Sequence, residues 1–194
     1  MSPELSAKFD AYENLLRKWS KTINLVAPST LADIRKRHIL DSLQLEKHIP
    51  NDTKILLDIG SGAGFPGIVL AMAKPDITVN LVESDERKCS FLRTVSRETF
   101  TPVVVHTARV ENVDNLSPDV ISARAPASLS SLLAMTEKWW KENPAITLIL
   151  PKGENWRTEV SEAQNAYQFS LQNHPSVTDG SAAILVIRDI HHIK

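Results

Sequence analysis

The sequence predicts an α/β fold in which helices cover both faces of a mostly parallel sheet and a helical segment precedes the sheet. Short apolar runs alternate with helical stretches from residue 51 onward, which is typical of parallel strands joined by crossover helices. A glycine-rich turn, GSGAGFPG (residues 60–67), directly follows the first of these runs. A strand, a glycine turn and a helix in this order indicate a ligand site at one edge of the sheet.

The N-terminal segment is predicted to be helical. Apolar residues recur at helical spacing from Leu5 to Trp19, and we expect a second helix from near Ser29 to about Ile49. No flexible linker follows this segment. Residues 1–50 are therefore predicted to be an addition to a single domain, whose α/β core spans residues 51–194.

The core is predicted to contain six strands and four helices. The strands are the short apolar runs at residues 55–59, 79–82, 103–106, 120–122, 146–150 and 184–187. The helices are expected at residues 67–73, 87–98, 129–141 and 157–167.

Composition excludes several classes of protein. No apolar run approaches the roughly 18 residues that a membrane span needs, and the acidic, amphipathic N-terminus does not resemble a signal peptide. Cys89 is the only cysteine, which excludes a disulfide framework and a cysteine metal site. We therefore expect a cytoplasmic protein without a metal.

The charge balance is a mild argument against a nucleic-acid binder. The formal net charge is −1, whereas nucleic-acid-binding domains are often strongly basic. A local basic patch is nevertheless enough to bind RNA. Arg35, Lys36 and Arg37 form such a cluster, although a solvated helix face also explains them.

The glycine-rich turn admits two interpretations. Gly62, Gly64 and Gly67 match G-x-G-x-x-G, the dinucleotide pattern, and so raise the possibility of an NAD(P)-dependent oxidoreductase. Counted from the end of the strand, however, the pattern is Gly60-x-Gly62-x-Gly64, and Phe65 takes the place of the third glycine.

Asp58 decides between these interpretations. A pyrophosphate binds at a helix N-terminus through backbone N–H groups, and a carboxylate beside that site repels it. S-adenosylmethionine has no phosphate and carries an ammonium and a sulfonium. An acid at the strand end therefore favours S-adenosylmethionine as the cofactor.

Two further acids are candidate cofactor ligands. Glu83 ends the second predicted strand about 20 residues after the turn, where an acid binds ribose hydroxyls in either class of enzyme. Glu111 follows the third predicted strand, close to where the adenine of either cofactor is expected. The alternative for Glu83 is an acid that stabilises a helix N-terminus.

Five motifs, in order, make the chain similar to a known family. They are RHILDS (37–42), DIGSGAGFPGI (58–68), ARVE (108–111), SARAPASL (122–129) and PKG (151–153). Together they resemble the bacterial small-subunit ribosomal RNA methyltransferase G family, also called glucose-inhibited division protein B, over nearly the whole chain. The resemblance implies a Rossmann-like class I methyltransferase sheet, mostly parallel with one antiparallel edge region. It also implies transfer of a methyl group from S-adenosylmethionine to N7 of one guanosine in 16S rRNA.

The resemblance also implies roles for individual residues. Gly60 and Phe65 would contact the cofactor, Val110 and Glu111 would lie at its adenine, and Arg124 near its methionine end or the guanine. The RNA side would be lined by Asn24, His38, Asp41, Arg109 and Lys152. The partner would be small-subunit rRNA or a ribosomal subunit, bound by a monomer. The chain departs from the family in two ways. The family often has more residues before the first helix, and it often has a basic residue just before the last strand, where this chain reads SAAILVI (181–187).

Structural roles remain open for these polar residues. His38 and Asp41 share a helix face by i, i+3 spacing, so their contact is either a surface hydrogen bond or an orienting device at the RNA entrance. Arg109 and Arg124 are either ligand-edge residues or partners of nearby acids, and Lys152 either contacts RNA or caps a loop.

Three functions follow from these alternatives: an rRNA guanine-N7 methyltransferase, an oxidoreductase, or a methyltransferase-like module that binds without catalysis. The first is the main hypothesis. Methylation at C5 of a pyrimidine usually needs a cysteine nucleophile, and Cys89 lies within a predicted helix, away from the substrate edge. Ring N7 needs no such device, in agreement with the resemblance.

Overall fold

The computed structural model describes residues 1–124 and 127–193 and confirms the predicted α/β fold. Seven strands form one sheet with the order β3-β2-β1-β4-β5-β7-β6. The strands are β1 (Ile55–Ile59), β2 (Thr78–Glu83), β3 (Val104–Thr107), β4 (Val120–Ser122), β5 (Thr147–Lys152), β6 (Tyr167–Pro175) and β7 (Ala183–His192).

The directions of the strands show at which edge of the sheet a ligand site is expected. Strands β1 to β5 pair in parallel, and β7 is antiparallel to both β5 and β6. The chain builds outward from β1 to β3 on one side and from β4 to β5 on the other. The strand order therefore reverses between β1 and β4, and open α/β sheets bind ligands beyond the carboxyl ends of the strands at such a point.

Helices cover both faces of the sheet. They are α1 (Pro3–Trp19), α2 (Asp41–Leu43), α3 (Gly67–Ala73), α4 (Glu86–Glu98), α5 (Leu129–Met135), α6 (Glu137–Glu142) and α7 (Trp156–Ala163). Caps explain where some of them begin. Ser2 accepts the N–H of Leu5 at the start of α1, and Asp85 accepts the N–H groups of Arg87 and Lys88 at the start of α4.

Consecutive strand residues supply two separate hydrophobic clusters. Leu56 packs with α1, α3 and α4 on one face, whereas its neighbour Leu57 packs with α5, α6 and α7 on the other, because side chains alternate across a strand. Cys89 is fully buried in α4. The division into a residue 1–50 addition and a residue 51–194 core stays a prediction.

The predicted second N-terminal helix is wrong. Instead of one helix from residue 29 to 49, the chain forms a 3₁₀ helix (Pro28–Asp33), a π turn (Arg35–Leu40), α2 and a second 3₁₀ helix (Glu46–His48). Packing decides this, because Ile34, His38 and Ile39 are all buried. A π turn is an irregularity often found at functional sites.

Two predictions in the C-terminal half also needed correction. The helix expected at 129–141 breaks at Thr136, whose hydroxyl donates to the carbonyls of Leu132 and Leu133. The helix expected at 157–167 ends at Ala163, and β6, a strand that was not predicted, begins at Tyr167. Tyr167, Phe169 and Leu171 alternate with polar residues, which is the period of a half-buried strand.

No helix in the described ranges is long and apolar enough to cross a membrane. Those ranges also hold no group of three or more His, Cys, Asp or Glu side chains placed to bind a metal ion.

Candidate functional site

A cleft of about 400 Å³ lies at the carboxyl ends of β1 and β2. Its apolar lining includes Ile59, Val82, Val110, Leu132 and Met135, and its polar lining includes Glu83, Arg109 and Glu111. Gly60 and Ala127 complete the wall beside the glycine turn. The structure thus brings together Gly60, Glu83, Val110 and Glu111, which the sequence predicted as cofactor ligands.

Glu83 joins the end of β2 to the glycine turn. Its Oε2 accepts the backbone N–H of Gly62 at 2.9 Å, and its Oε1 accepts that of Asp85 at 2.9 Å. Each carboxylate oxygen accepts about two hydrogen bonds, so each keeps one acceptor position for a ligand. Glu83 therefore holds the turn in place and lines the cleft with the same carboxylate.

Glycine is needed at different positions of the turn for different structural reasons. Gly60, Gly62 and Gly64 all have positive φ, at 64°, 56° and 94°, a region that costs other residues energy. A Cβ on Gly62 would meet only the Gly60 carbonyl oxygen at 3.8 Å, whereas one on Gly64 would lie 2.7 Å from the Tyr12 hydroxyl. Gly62 therefore faces open space, and Gly64 allows α1 to pack on the turn.

Asp58 lies beneath the turn and does not line the cleft. Its side chain is fully buried, and Oδ1 accepts the Ser122 hydroxyl at 2.7 Å. Oδ2 lies 2.8 Å from the position of a Cβ on Gly67, at the start of α3. Burial raises the pKa of Asp58 to about 6, against the lowering effect of the Ser122 hydrogen bond. Its predicted cofactor role stays a prediction.

Phe65 also packs away from the cleft. Its buried ring lies between Tyr12 and His38, with both ring centroids at 5.1 Å. The guanidinium carbon of Arg124 lies 4.9 Å from the Phe65 ring centroid. The Phe65 side chain therefore joins the N-terminal segment to the turn, and its predicted contact with the cofactor stays a prediction.

Arg124 is the centre of a polar cluster. Its Nη2 donates to His38 Nδ1 at 3.1 Å, and its Nη1 donates to Asp41 Oδ2 at 3.4 Å. Because arginine only donates, His38 Nδ1 is the acceptor, and Nε2 carries the proton that is donated to the Thr30 hydroxyl at 2.8 Å. The structure thus brings His38 and Asp41 together through Arg124, a contact that the sequence did not predict.

His38 is neutral at pH 7. Burial, together with the positive charges of Arg124 and Arg37, lowers the pKa of His38 to about 4. Its ring nitrogens are also both engaged in the cluster. His38 therefore orients Arg124 and Phe65 and is not available as a proton donor or acceptor near neutral pH.

A second cavity, of about 190 Å³, lies beyond Arg124 at the end of β5. Its charged and hydroxyl lining consists of Arg37, Asp41, Arg124, Lys152, Ser176, Thr178 and Asp179. The loop between β6 and β7 forms one wall. Thr178 in that loop donates its hydroxyl to Asp41 Oδ1, and Gln44 Nε2 donates to the same oxygen at 3.0 Å.

Lys152 is a structural residue. Its ammonium is 2.7 Å from Glu159 Oε2 and 2.6 Å from the carbonyl oxygen of Ala127. Its side chain is only 5% exposed. The loop-capping interpretation therefore describes its contacts. Because Ala127 lines the first cleft and Lys152 lines the second cavity, this hydrogen bond also shows that the two spaces adjoin.

Asn24, Arg109 and the basic cluster at residues 35–37 are the remaining candidates for RNA contact. Arg109 is exposed at the rim of the first cleft. Asn24 is exposed and, within the described chain, lines neither space. Arg35 forms ion pairs with Glu13 at 2.6 Å and with Asp10, so it fixes α1, whereas Lys36 and Arg37 are exposed.

Sequence reasoning missed several residues of the site, namely Tyr12, Thr30, Gln44, Ser122 and Thr178. Only Ser122 belonged to a quoted motif, SARAPASL. Residues 125 and 126 of that motif lie outside the described residues. Tyr12 and Thr178 reach their partners from distant parts of the chain, whereas Gln44 and Thr30 bond to Asp41 and His38 close by in sequence.

Comparison with known proteins identifies relatives over nearly the full length. A family model described as rRNA small subunit methyltransferase G matches residues 5–188. The chain is 46% identical to "Ribosomal RNA small subunit methyltransferase G" of Paracoccus denitrificans, covering 93% of each chain. It is 44% identical to the protein of the same name from Rhodospirillum centenum, covering 98% of this chain and 87% of that one.

Solved structures of proteins in complex with S-adenosylmethionine or S-adenosylhomocysteine share the fold. An O-methyltransferase from Bacillus cereus, in complex with S-adenosylhomocysteine, has a TM-score of 0.60 at 15% identity and covers 92% of this chain and 90% of its own. A mutant of MtNAS in complex with S-adenosylmethionine has a TM-score of 0.63 at 16% identity, covering 95% and 77%. These findings confirm the predicted resemblance and fold class and give no support to the oxidoreductase alternative.

Proposed function

Because the chain belongs to the rRNA small subunit methyltransferase G family, we propose that it is an S-adenosylmethionine-dependent methyltransferase that forms 7-methylguanosine at one site in 16S rRNA. The observation that carries this proposal is the adjacency of two spaces at the carboxyl ends of the strands. One is an apolar cleft that contains the carboxylate of Glu83, and the other is a smaller polar cavity. The contact between Ala127 and Lys152 is a wall that the two spaces share.

The larger cleft fits the cofactor. S-adenosylmethionine supplies a methyl group already activated on a sulfonium. The free acceptor positions of Glu83 suit two ribose hydroxyls, and the apolar wall formed by Val82, Val110 and Leu132 suits an adenine ring. The buried Asp58 carboxylate at the start of α3 provides the negative charge that disfavours a pyrophosphate there.

The smaller cavity suits the guanine base. Guanine presents N–H donors on one edge and acceptors, O6 and N7, on the other. Asp179 and Arg37 are the exposed charged groups at this cavity, and they offer an acceptor and a donor of matching kind. N7 already has a lone pair in the ring plane, so no general base is needed.

Positioning is therefore the work of the protein. Holding two reactants in a productive arrangement supplies a large part of the rate in such reactions. The neutral His38 and the ion pair between Arg124 and Asp41 fix the wall between the base and the turn. We propose that these residues orient the guanine and transfer no proton.

A transfer assay tests the function directly. Methyl-labelled S-adenosylmethionine is incubated with small ribosomal subunits and, separately, with deproteinised 16S rRNA from cells that lack the modification. The RNA is then digested and its nucleosides are identified by mass spectrometry. We expect 7-methylguanosine, and a Cys89→Ser variant forms it equally well.

Other outcomes of that assay separate the alternatives. Formation of 5-methylcytidine or N6-methyladenosine would contradict the proposed target atom. Calorimetric binding of S-adenosylhomocysteine without any transfer would indicate a non-catalytic module. Binding of NAD in place of S-adenosylhomocysteine would restore the oxidoreductase hypothesis.

We further propose that the protein acts as a cytoplasmic monomer without a bound metal. Light scattering of the purified protein checks the mass against 21.6 kDa, and elemental analysis checks for metal. A stable dimer, or a stoichiometric metal ion, would contradict this part of the proposal.

A further inference from the structure

A third cavity, of about 370 Å³, lies beside the proposed guanine cavity. It is lined by Lys36, Leu40, Leu43, Gln44, Val177 and Thr178. Two of its apolar side chains are unusually open to solvent, since Leu40 is 38% exposed and Val177 is 71% exposed. Leu40 ends the π turn, and Val177 lies in the loop between β6 and β7.

This cavity is continuous with the proposed substrate site. Gln44 and Thr178 line both cavities, so this pair is the wall between them. An RNA strand with its guanosine in the proposed guanine cavity would cross this wall and bring its next nucleotide above Leu40 and Val177.

The polar groups of the wall are already engaged within the protein. Gln44 Nε2 donates to Ser176 Oγ at 3.1 Å, and Gln44 Oε1 accepts the N–H of Val177 at 2.9 Å. The hydroxyl of Thr178 donates to Asp41. The cavity therefore offers apolar contact but little free hydrogen-bonding capacity, and base identity is read through such hydrogen bonds.

The rim of the cavity is positive. Lys36 lines it, and Arg37, the next residue, lines the guanine cavity. Both side chains are exposed, and neither forms an ion pair within the described residues, whereas the neighbouring Arg35 is paired with α1. Two unpaired cations between adjacent cavities complement the phosphate between two nucleotides.

We propose that this cavity binds the base of the nucleotide next to the methylated guanosine, without selecting its identity. The proposal rests on the proposed function and adds a second nucleotide subsite to it. Leu40, Leu43 and Val177 cover one face of the base, and Lys36 and Arg37 bind the intervening phosphate. Anchoring a neighbour in this way keeps the target guanosine out of its stack.

Two surface variants and a matched control test the subsite. Leu40→Ser and Val177→Ser remove apolar contact, and Val104→Ser removes an exposed apolar side chain (45% exposed) from the distant edge strand β3. We expect the first two to raise KM for RNA about tenfold, the equivalent of about 1.4 kcal/mol, and to lower kcat less. Affinity for S-adenosylhomocysteine stays unchanged, and Val104→Ser behaves as the wild type.

Modified RNA provides the second measurement. Replacing the nucleotide next to the target by an abasic site is expected to raise the KM of the wild type for RNA. The same replacement is expected to raise the KM of the Leu40→Ser variant only slightly further. Exchanging that base for another is expected to have a much smaller effect than removing it.

The results that would overturn the proposal are distinct from failure of the proposed function. Leu40→Ser and Val177→Ser variants that match Val104→Ser would exclude the subsite while methylation itself remains. If Leu40→Ser and Val177→Ser raised KM with intact ribosomal subunits but not with deproteinised RNA, the cavity would bind a ribosomal protein instead. Absence of transfer by the wild type on both substrates would reject the proposed function.

Discussion

Gly64→Ala should destabilise the protein severely by separating α1 from the glycine turn. The added Cβ would lie 2.7 Å from the Tyr12 hydroxyl and 2.8 Å from Ile68 Cδ1. Tyr12 is fully buried, donates its hydroxyl to the carbonyl of Ala63 and stacks on Phe65. The phenol cannot move aside without losing that hydrogen bond.

The magnitude follows from three contributions. A φ of 94° strains a residue with a Cβ by roughly 1–3 kcal/mol. Overpacking a filled core costs roughly another 1–3 kcal/mol, and a disrupted buried hydrogen bond costs about 1 kcal/mol. The free energy of unfolding should therefore fall by about 3–7 kcal/mol, which is a large part of the stability of an ordinary domain.

Gly62→Ala is the matched control. Its φ of 56° is also positive, but its Cβ enters open space, so we expect a loss of only about 1–2 kcal/mol. Urea unfolding of both variants, followed by circular dichroism, compares the two. If Gly64→Ala lost no more than Gly62→Ala, the packing of Tyr12 against the turn would not hold α1 in place, and the reasoning would fail.

Three further changes test other parts of the site. Glu83→Gln turns an amide N–H₂ toward a backbone N–H. Calorimetry should therefore show an affinity for S-adenosylhomocysteine that is lower by about tenfold or more. The control variant Glu86→Gln should bind S-adenosylhomocysteine as the wild type does. The pKa of His38 is lowered to about 4 in the folded protein, below the value of about 6.5 expected in the unfolded chain. The neutral imidazole therefore contributes fully to the free energy of unfolding above about pH 6.5. This contribution is lost as the pH falls toward 4, because the unfolded state then binds a proton that the folded state does not. The stability gap between wild type and His38→Asn should shrink in that range, and a constant gap would contradict the neutral imidazole. Lys152→Met removes the cation paired with Glu159, whose carboxylate still accepts the N–H of Leu129. The free energy of unfolding should fall by about 1–3 kcal/mol, and an unchanged melting curve would contradict a stabilising ion pair.

Local patterns were sufficient for much of the core. Residues 55–59 and 120–122 were predicted as strands with the bounds that the structure has, and the helix at 67–73 was also correct. Apolar periodicity and glycine spacing are local properties, and the ends of parallel strands meet at one edge. The placement of Gly60 and Glu83 beside one cleft could therefore be predicted from position along the chain alone.

Features with weak local signals were predicted poorly. The strand β6 lies at the sheet edge and alternates apolar with polar residues, and it followed a helix without a strong break. The residue 28–48 segment has helical periodicity, but the structure divides it into short 3₁₀, π and α stretches, in which Ile34, His38 and Ile39 are buried. Packing changed its geometry, because tertiary contacts routinely outweigh local propensity.

The sequence by itself determined the α/β class, the glycine turn, the acid at the end of β2 and the family to which the motifs belong. Only the tertiary structure decided the state of the polar residues. Arg124 meets His38 across 86 positions of the chain, and Lys152 is paired with Glu159 rather than free for RNA. A residue type states which charge or hydrogen bond is available, but partners that are distant in sequence decide whether burial neutralises it, pairs it or leaves it for a ligand.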